Sequence, residues 1–180
     1  MIKYKLLTPG PLTTSKTVKE EMLVDHCTWD DDYKRITQKI RRELLELAHV
    51  SSDEYTCVLM QGSGTFGVES AITSSVGKDG KILILSNGAY GERQEDICKH
   101  AGLKYRIQHF HYNEIPNSEV VMKILDSDTE ITHVSMVHSE TTSGILNDIE
   151  TIGQVVKAAG KVFIVDAMSS FGGVDIPVAD

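Results

Sequence analysis

Cysteine is scarce and odd in number. Cys27, Cys57 and Cys98 stand far apart, which leaves no disulfide framework and no CxxC pair, and points to a reducing, cytoplasmic setting. Positive charge is also short: 18 Lys and Arg face 26 Asp and Glu, a net charge of −8. With no basic run longer than two residues, a nucleic-acid partner is excluded, since such binding rests on a basic surface. No apolar run approaches the roughly 20 residues of a membrane span. The opening "MIKYKLLTPGPLTTS" is too briefly apolar for a signal peptide, and Pro9 and Pro11 interrupt it. His109 and His111 can share one face of a strand, but no third ligand stands near them, so no metal is expected.

What remains is ordinary for a water-soluble domain: 180 residues, 41% of them hydrophobic, enough for one sizeable core. Residues 1–20 read as an extended arm, because Pro9, Gly10 and Pro11 forbid regular structure there. Residues 21–180 read as one α/β domain. Ile36, Ile40, Leu44, Leu47 and Ala48 recur at helical spacing and predict a helix over 33–49. Strands are then expected at 55–60, 81–87, 104–110, 131–138 and 161–167. Helices are expected at 66–76, 90–101, 118–127 and 148–159. Asn147 and Glu150 resemble a capping box for the last helix, and Gly160 stops it. This alternation predicts a mainly parallel sheet with flanking helices.

Ligands of such sheets bind beyond the C-terminal ends of the strands. The residues just after each strand are therefore the informative ones. "QGSGTFGVES" (61–70) holds a literal GxGxxG at Gly62, Gly64 and Gly67. As a dinucleotide fingerprint it needs an acid at the end of the next strand for the ribose hydroxyls. That strand ends in Ser86-Asn87, and more than fifty residues precede the loop, so an NAD-dependent oxidoreductase is the weaker reading. The phosphate chemistry survives without it. A small-residue turn into a helix N-terminus offers free amides, with the Ser63 and Thr65 hydroxyls beside them. The plain alternative is a tight turn capped by Thr65.

Asp166 ends the apolar run Val162-Phe163-Ile164-Val165. A carboxylate beside a dry core is costly unless a cation meets it. Either it caps the turn "AMSS" or it pairs with a ligand cation. Tyr90 can stack on a flat ring or sit as a half-buried helix-start residue. Thr141 or Thr142 can donate to a phenolic oxygen or merely shape the turn before Gly144. Together, a phosphate loop, an aromatic, a hydroxyl cluster and a strand-end acid match pyridoxal 5′-phosphate, with Asp166 keeping its ring nitrogen protonated.

At this point a resemblance appears. "TPGP" (8–11), "GSGTFGVES" (62–70), "NGAYGER" (87–93), "HSETTSG" (138–144) and "VDAMSSFGG" (165–173) follow one another as in class V aminotransferases of the fold-type I pyridoxal phosphate superfamily. "DHCTWDDDY" (25–33) is similar to a segment of the 2-aminoethylphosphonate:pyruvate transaminases. The resemblance implies that Ser63, Gly64 and Thr65 hold the cofactor phosphate. It implies that Tyr90 stacks on the pyridine, that Thr141 contacts the phenolic oxygen, and that Asp166 pairs with the ring nitrogen as the catalytic acid of this stretch. It places Thr8, Pro9 and Gly10 near the substrate entrance. It implies transfer of an amino group from 2-aminoethylphosphonate to pyruvate by a homodimer. Alanine:glyoxylate and serine:pyruvate transamination are the alternatives, with a non-catalytic binding fragment as a third class. Trp29 and Asp30 to Asp32 either shape the site or form an acidic helix start beside one packed Trp.

The resemblance also places a Schiff-base lysine a few tens of residues past the strand-end acid, beyond Asp180, together with the arginine that grips the substrate acid. Lys161 cannot replace that lysine, because five residues of strand hold it about 16 Å from Asp166. Arg93 and Arg106 read as solvated surface charge. The chain is thus expected to be the N-terminal portion of a longer aminotransferase, with its large domain incomplete at the C-terminus and doubtful activity alone.

Overall fold

The structure is a computed structural model that describes residues 4–8, 10, 12–176 and 178–179. The chain divides into two compact units, residues 1–61 with 174–180, and residues 62–173.

The first unit holds helix α1 (Lys16–Glu21), capped by the Ser15 hydroxyl, and helix α2 (Asp31–Leu47). The arm expected to be extended through residue 20 therefore turns helical at Lys16, once Ser15 can satisfy the Val18 amide. Helix α2 begins on Asp31 and Asp32, acids that suit a helix N-terminus. Its apolar stripe is real but uncovered: Ile36 is 58% exposed and Ile40 42%. Trp29 is 82% exposed, with the Lys34 ammonium 5.7 Å from its ring centroid, so it is not the packed Trp of the plain reading.

Residues 55–60 form no strand, a correction to the sequence expectation. Their composition suits a sheet, but no strand lies beside them among the described residues, and a ladder needs a partner. Val58 is 70% exposed. Arg41 instead binds this stretch, donating to the Cys57 carbonyl at 2.8 Å and the Thr56 hydroxyl at 2.9 Å.

The second unit contains the sheet. Strands β1 (Lys81–Ser86), β2 (Lys104–His109), β3 (His133–Val137) and β6 (Val162–Asp166) are all parallel, in the order β2-β1-β3-β6. A short antiparallel pair, β4 (Ser139–Glu140) and β5 (Ile145–Leu146), follows β3. Helices α3 (Gly64–Val76), α4 (Ala89–Ala101), α5 (Ser118–Ser127) and α6 (Ile149–Ala158) flank the sheet. Strand β1 alternates between two cores. Leu83 and Leu85 pack with Val121, Ile124 and Leu125 of α5 and Ile152 and Val156 of α6. Ile82 and Ile84 pack with Ile72 and Val76 of α3 and Ile97 and Cys98 of α4. Burial on both faces is what a parallel sheet under helices demands.

Helix α6 is capped by Asp148, whose carboxylate accepts from the Thr151 amide at 2.9 Å, and not by Asn147. Asn147 has another task. Its side-chain amide donates to the Asn87 side chain at 3.1 Å and to the Val137 carbonyl at 2.8 Å. Gly160, at φ +67°, ends α6 as expected.

Candidate active site

The site is built at the C-terminal ends of β1, β3 and β6. β1 runs out at Ser86, and Asn87-Gly88 lead into α4, whose second residue is Tyr90. β3 runs out at Val137 and leads to residues 138–144. Asp166 is the last residue of β6, opposite Val137 in the ladder. From the other direction, Gly62 at φ +143° makes the turn into α3; that conformation favours glycine.

These segments touch in a closed ring. A methyl group added at Gly64 would fall 2.6 Å from Met168 Cε, so the start of α3 lies against the turn after Asp166. Ser169 Oγ donates to the Ser139 carbonyl at 2.6 Å. The Tyr90 amide donates to Glu140 Oε2 at 3.2 Å. Arg93, one turn along α4, donates from Nη1 to Thr65 Oγ1 at 3.3 Å and lies 5.8 Å from the Tyr90 ring centroid. The ring therefore brings together Gly64, Thr65, Tyr90, the 139–142 segment and the Asp166 turn. Thr8 and Gly10 belong to the first unit, and Pro9 lies outside the described residues.

Each predicted residue has a definite local role. Ser63, not Thr65, caps α3, its hydroxyl accepting from the Phe66 amide at 3.3 Å. The Gly64 and Thr65 amides have no acceptor among the described residues, as the first amides of a helix lack intrahelical partners. The Tyr90 ring is 44% exposed. The Thr141 hydroxyl is exposed and has no partner among the described residues. Thr142 is committed elsewhere, its hydroxyl donating to Glu140 Oε1 at 2.6 Å.

Asp166 accepts one bond, from the Met168 amide at 3.1 Å, which is the turn-capping contact of the plain reading. That single donor does not satisfy a carboxylate, which has room for about four. Burial raises its pKa, the Met168 bond lowers it less, and the charge of Glu140 raises it further. A carboxylate so placed favours a cation at its free oxygen.

Two functional candidates were hidden in the sequence. Arg93 is exposed, as expected of a solvated charge, but its guanidinium also reaches the Thr65 hydroxyl. Glu140 is fully buried and ties α4 to Thr142; read along the chain, it is one polar residue in a polar turn. Arg106, by contrast, is half-buried and lies 3.6 Å from Asp128, in an ion pair away from the site. Lys161 donates to the Thr129 carbonyl at 3.4 Å and stands at the opposite end of the sheet from Asp166. Among the described residues, no group of three His, Cys, Asp or Glu side chains could hold a metal, and no helix is long and apolar enough to cross a membrane.

The chain is similar to known proteins. The chain is 58% identical over 180 residues to a 2-aminoethylphosphonate–pyruvate transaminase of Lysinibacillus sphaericus (strain C3-41), covering 100% of this chain and 49% of that protein. It thus spans about half the length of the curated relatives it matches. The solved structure of a pyridoxamine-pyruvate aminotransferase from Mesorhizobium loti superposes with a TM-score of 0.83 at 29% identity, over 95% of this chain and 43% of that one. An alanine–glyoxylate aminotransferase from Nostoc sp. has the same fold, with a TM-score of 0.88 at 24% identity, over 99% and 47% of the two chains. The model of the aminotransferase class-V family matches residues 25–180, and the chain belongs to that family.

Proposed function

We propose that this chain is the cofactor-binding part of a transaminase that uses pyridoxal 5′-phosphate to move the amino group of 2-aminoethylphosphonate to pyruvate, giving phosphonoacetaldehyde and alanine. The observation that carries the reading is Asp166, a strand-end carboxylate raised by burial and short of donors, in one cluster with an anion-suited helix start. The substrate choice draws its support from the name of the Lysinibacillus sphaericus relative and from the 25–33 segment.

The donor set suits the cofactor. The unpartnered Gly64 and Thr65 amides, with the Ser63 and Thr65 hydroxyls and the Arg93 guanidinium, form an anion site for its phosphate. Gly64 lets Met168 pack against the start of α3, since an added methyl would fall 2.6 Å from Met168 Cε. Tyr90 presents a half-exposed ring for stacking, and Thr141 an uncommitted hydroxyl for the phenolic oxygen. Asp166 holds the proton on the ring nitrogen, a charge pair that relieves its own unmet burial. Bound there, the cofactor supplies an electron sink for moving a proton at the amino-bearing carbon. The family resemblance supports a homodimer as the working form, which light scattering would test, and the three widely spaced cysteines support a cytoplasmic setting.

The chain, extended by the C-terminal half of the Lysinibacillus sphaericus relative and supplied with cofactor, is expected to form alanine from 2-aminoethylphosphonate and pyruvate. Activity with alanine and glyoxylate, and none with the phosphonate, would overturn the substrate while leaving the family in place.

A further inference from the structure

Glu140 is fully buried, and a buried carboxylate persists only when donors surround it. Here the donors come from two distant segments. Oε2 takes the amides of Tyr90 and Gly91 at 3.2 and 3.4 Å. Oε1 takes the Thr142 amide at 3.1 Å and the Thr142 hydroxyl at 2.6 Å. The Thr142 oxygen accepts in turn from the Ala89 amide at 3.2 Å. Three consecutive amides at the start of α4 are thus held, directly or through Thr142, by one side chain. The positive end of the helix dipole adds to the attraction. Space for this side chain depends on Gly88, where an added methyl would meet Glu140 Cγ and Cδ at 2.4 Å.

We propose that Glu140 is a positioning residue: it locks the helix start that carries Tyr90 to the segment that carries Thr141, so that ring stacking and phenolic-oxygen contact share one geometry. This rests on the reading of Tyr90 and Thr141 as cofactor contacts. Among the described residues no other group bridges the two segments so completely, since every acceptor site used on Glu140 faces one or the other. Replacing the acid by its amide removes the symmetry on which the bridge depends. Whichever way the amide points, its NH2 faces at least one backbone N–H that the carboxylate accepted from, so a contact is lost on that side and the two segments are no longer held together.

Two variants attack the same bridge from opposite sides, Glu140→Gln by chemistry and Gly88→Ala by volume. Ile152→Val, in the core on the other face of the sheet, serves as a control for lost stability alone. The first measurement is amide hydrogen exchange on the chain. The Tyr90, Gly91 and Thr142 amides are expected to exchange about tenfold faster in both bridge variants, as the loss of one hydrogen bond allows. Their double variant should exchange no faster than either single one, because both break one contact. The second measurement is circular dichroism of pyridoxal phosphate at saturation, which free cofactor, being achiral, does not show. The signal per bound cofactor should fall in both bridge variants and stay unchanged in Ile152→Val. The half-saturating concentration should move little, since the Ser63–Thr65 turn is untouched.

Bridge variants that keep the full dichroic signal would overturn the positioning role, even if their amides exchange faster. A signal that falls equally in Ile152→Val would reduce Glu140 to a stability element. No induced signal in the unaltered chain would overturn the cofactor reading itself, and the positioning role with it.

Discussion

Gly91 is the third residue of α4, and it is glycine because the helix lies almost on the strand below. An added methyl group would fall 2.6 Å from Ser86 Oγ, 2.8 Å from Ser86 Cβ and 2.9 Å from Ser86 Cα. A change of Ser86 rotamer can remove the first contact. It cannot remove the last, because Ser86 is the final ladder residue of β1 and its Cα is fixed by pairing with His109. Gly91→Ala therefore has to lift the start of α4. Overpacking of this kind costs about 1–3 kcal/mol, against a gain of up to about 1 kcal/mol from better helix propensity and a less flexible unfolded chain. The expected net is a loss of about 1–2 kcal/mol. Gly67→Ala is the matched control. It lies in the interior of α3 with nothing within 4 Å of the new methyl, so the propensity gain of about 0.5–1 kcal/mol should appear undiluted. Urea unfolding followed by circular dichroism reads both. With a slope of about 2 kcal/mol per M, the Gly91→Ala midpoint should fall by roughly 0.5–1 M and that of Gly67→Ala should rise. A Gly91→Ala midpoint equal to or above the parent's would refute the close-contact argument, because the two substitutions differ chiefly in what the methyl meets.

Asp166→Asn should leave the cofactor-free chain at least as stable as the parent at pH 7. The native carboxyl is raised above its ordinary 3.8 by burial and by Glu140, so the stability it lends is full below 3.8 and lost as pH rises through its folded value. Thermal melts should show the gap closing as pH falls towards 3.8, while the extra stability given by pyridoxal phosphate at pH 7 disappears in the variant. Lys81 and Asp128, 2.8 Å apart, behave in the opposite sense. Asp128 is lowered by Lys81, and Lys81 is raised by Asp128. The advantage of the parent over Asp128→Asn should hold through neutral pH, shrink as acid takes pH below 3.8 and through the lowered carboxylate value, and shrink as base takes it above 10.5. Urea midpoints across pH would show both limbs. Cys98 is buried, with its thiol pushed up to about 11. A colorimetric thiol reagent at pH 8 should label exposed Cys27 at once and Cys98 only after unfolding; rapid labelling of Cys98 in the native chain would contradict the packing of α4 on β1.

Much of the second unit was legible along the chain because its signals are local. Ile82 to Leu85 read as a buried strand, and they sit in the middle of the sheet. Gly160 reads as a helix end, and it adopts positive φ there. The strand at 55–60 failed for the opposite reason. Tyr55 to Met60 have the composition of a strand, but a strand is a relation between two segments, and composition does not supply the second. Asn147 failed similarly. It stands where a cap is expected, yet the adjacent Asp148 caps the helix and Asn147 is drawn to Asn87, sixty residues earlier. Glu140 was illegible because its partners, Tyr90 and Gly91, lie 50 and 49 residues away, brought near only by the order β2-β1-β3-β6.

The glycine loop shows how far a motif can be trusted. Gly62, Gly64 and Gly67 match the dinucleotide fingerprint letter for letter, and the missing strand-end acid was the sequence's argument against it. The structure strengthens that argument. Where a ribose-binding acid would stand there is Asn87, and its side chain is already spent. Its amide group donates to the Glu114 carbonyl at 2.9 Å and to Asn147 Oδ1 at 2.8 Å, and its oxygen accepts from Asn147. Asn87 is 2% exposed, so even an acid substituted there would find the space taken and lose the two hydrogen bonds that the Asn87 amide group donates. The acid of the proposed site stands two strands away across the sheet, at the end of β6. Under the proposed function the loop holds a single phosphate at the start of α3, with the rest of the ligand reaching towards Asp166.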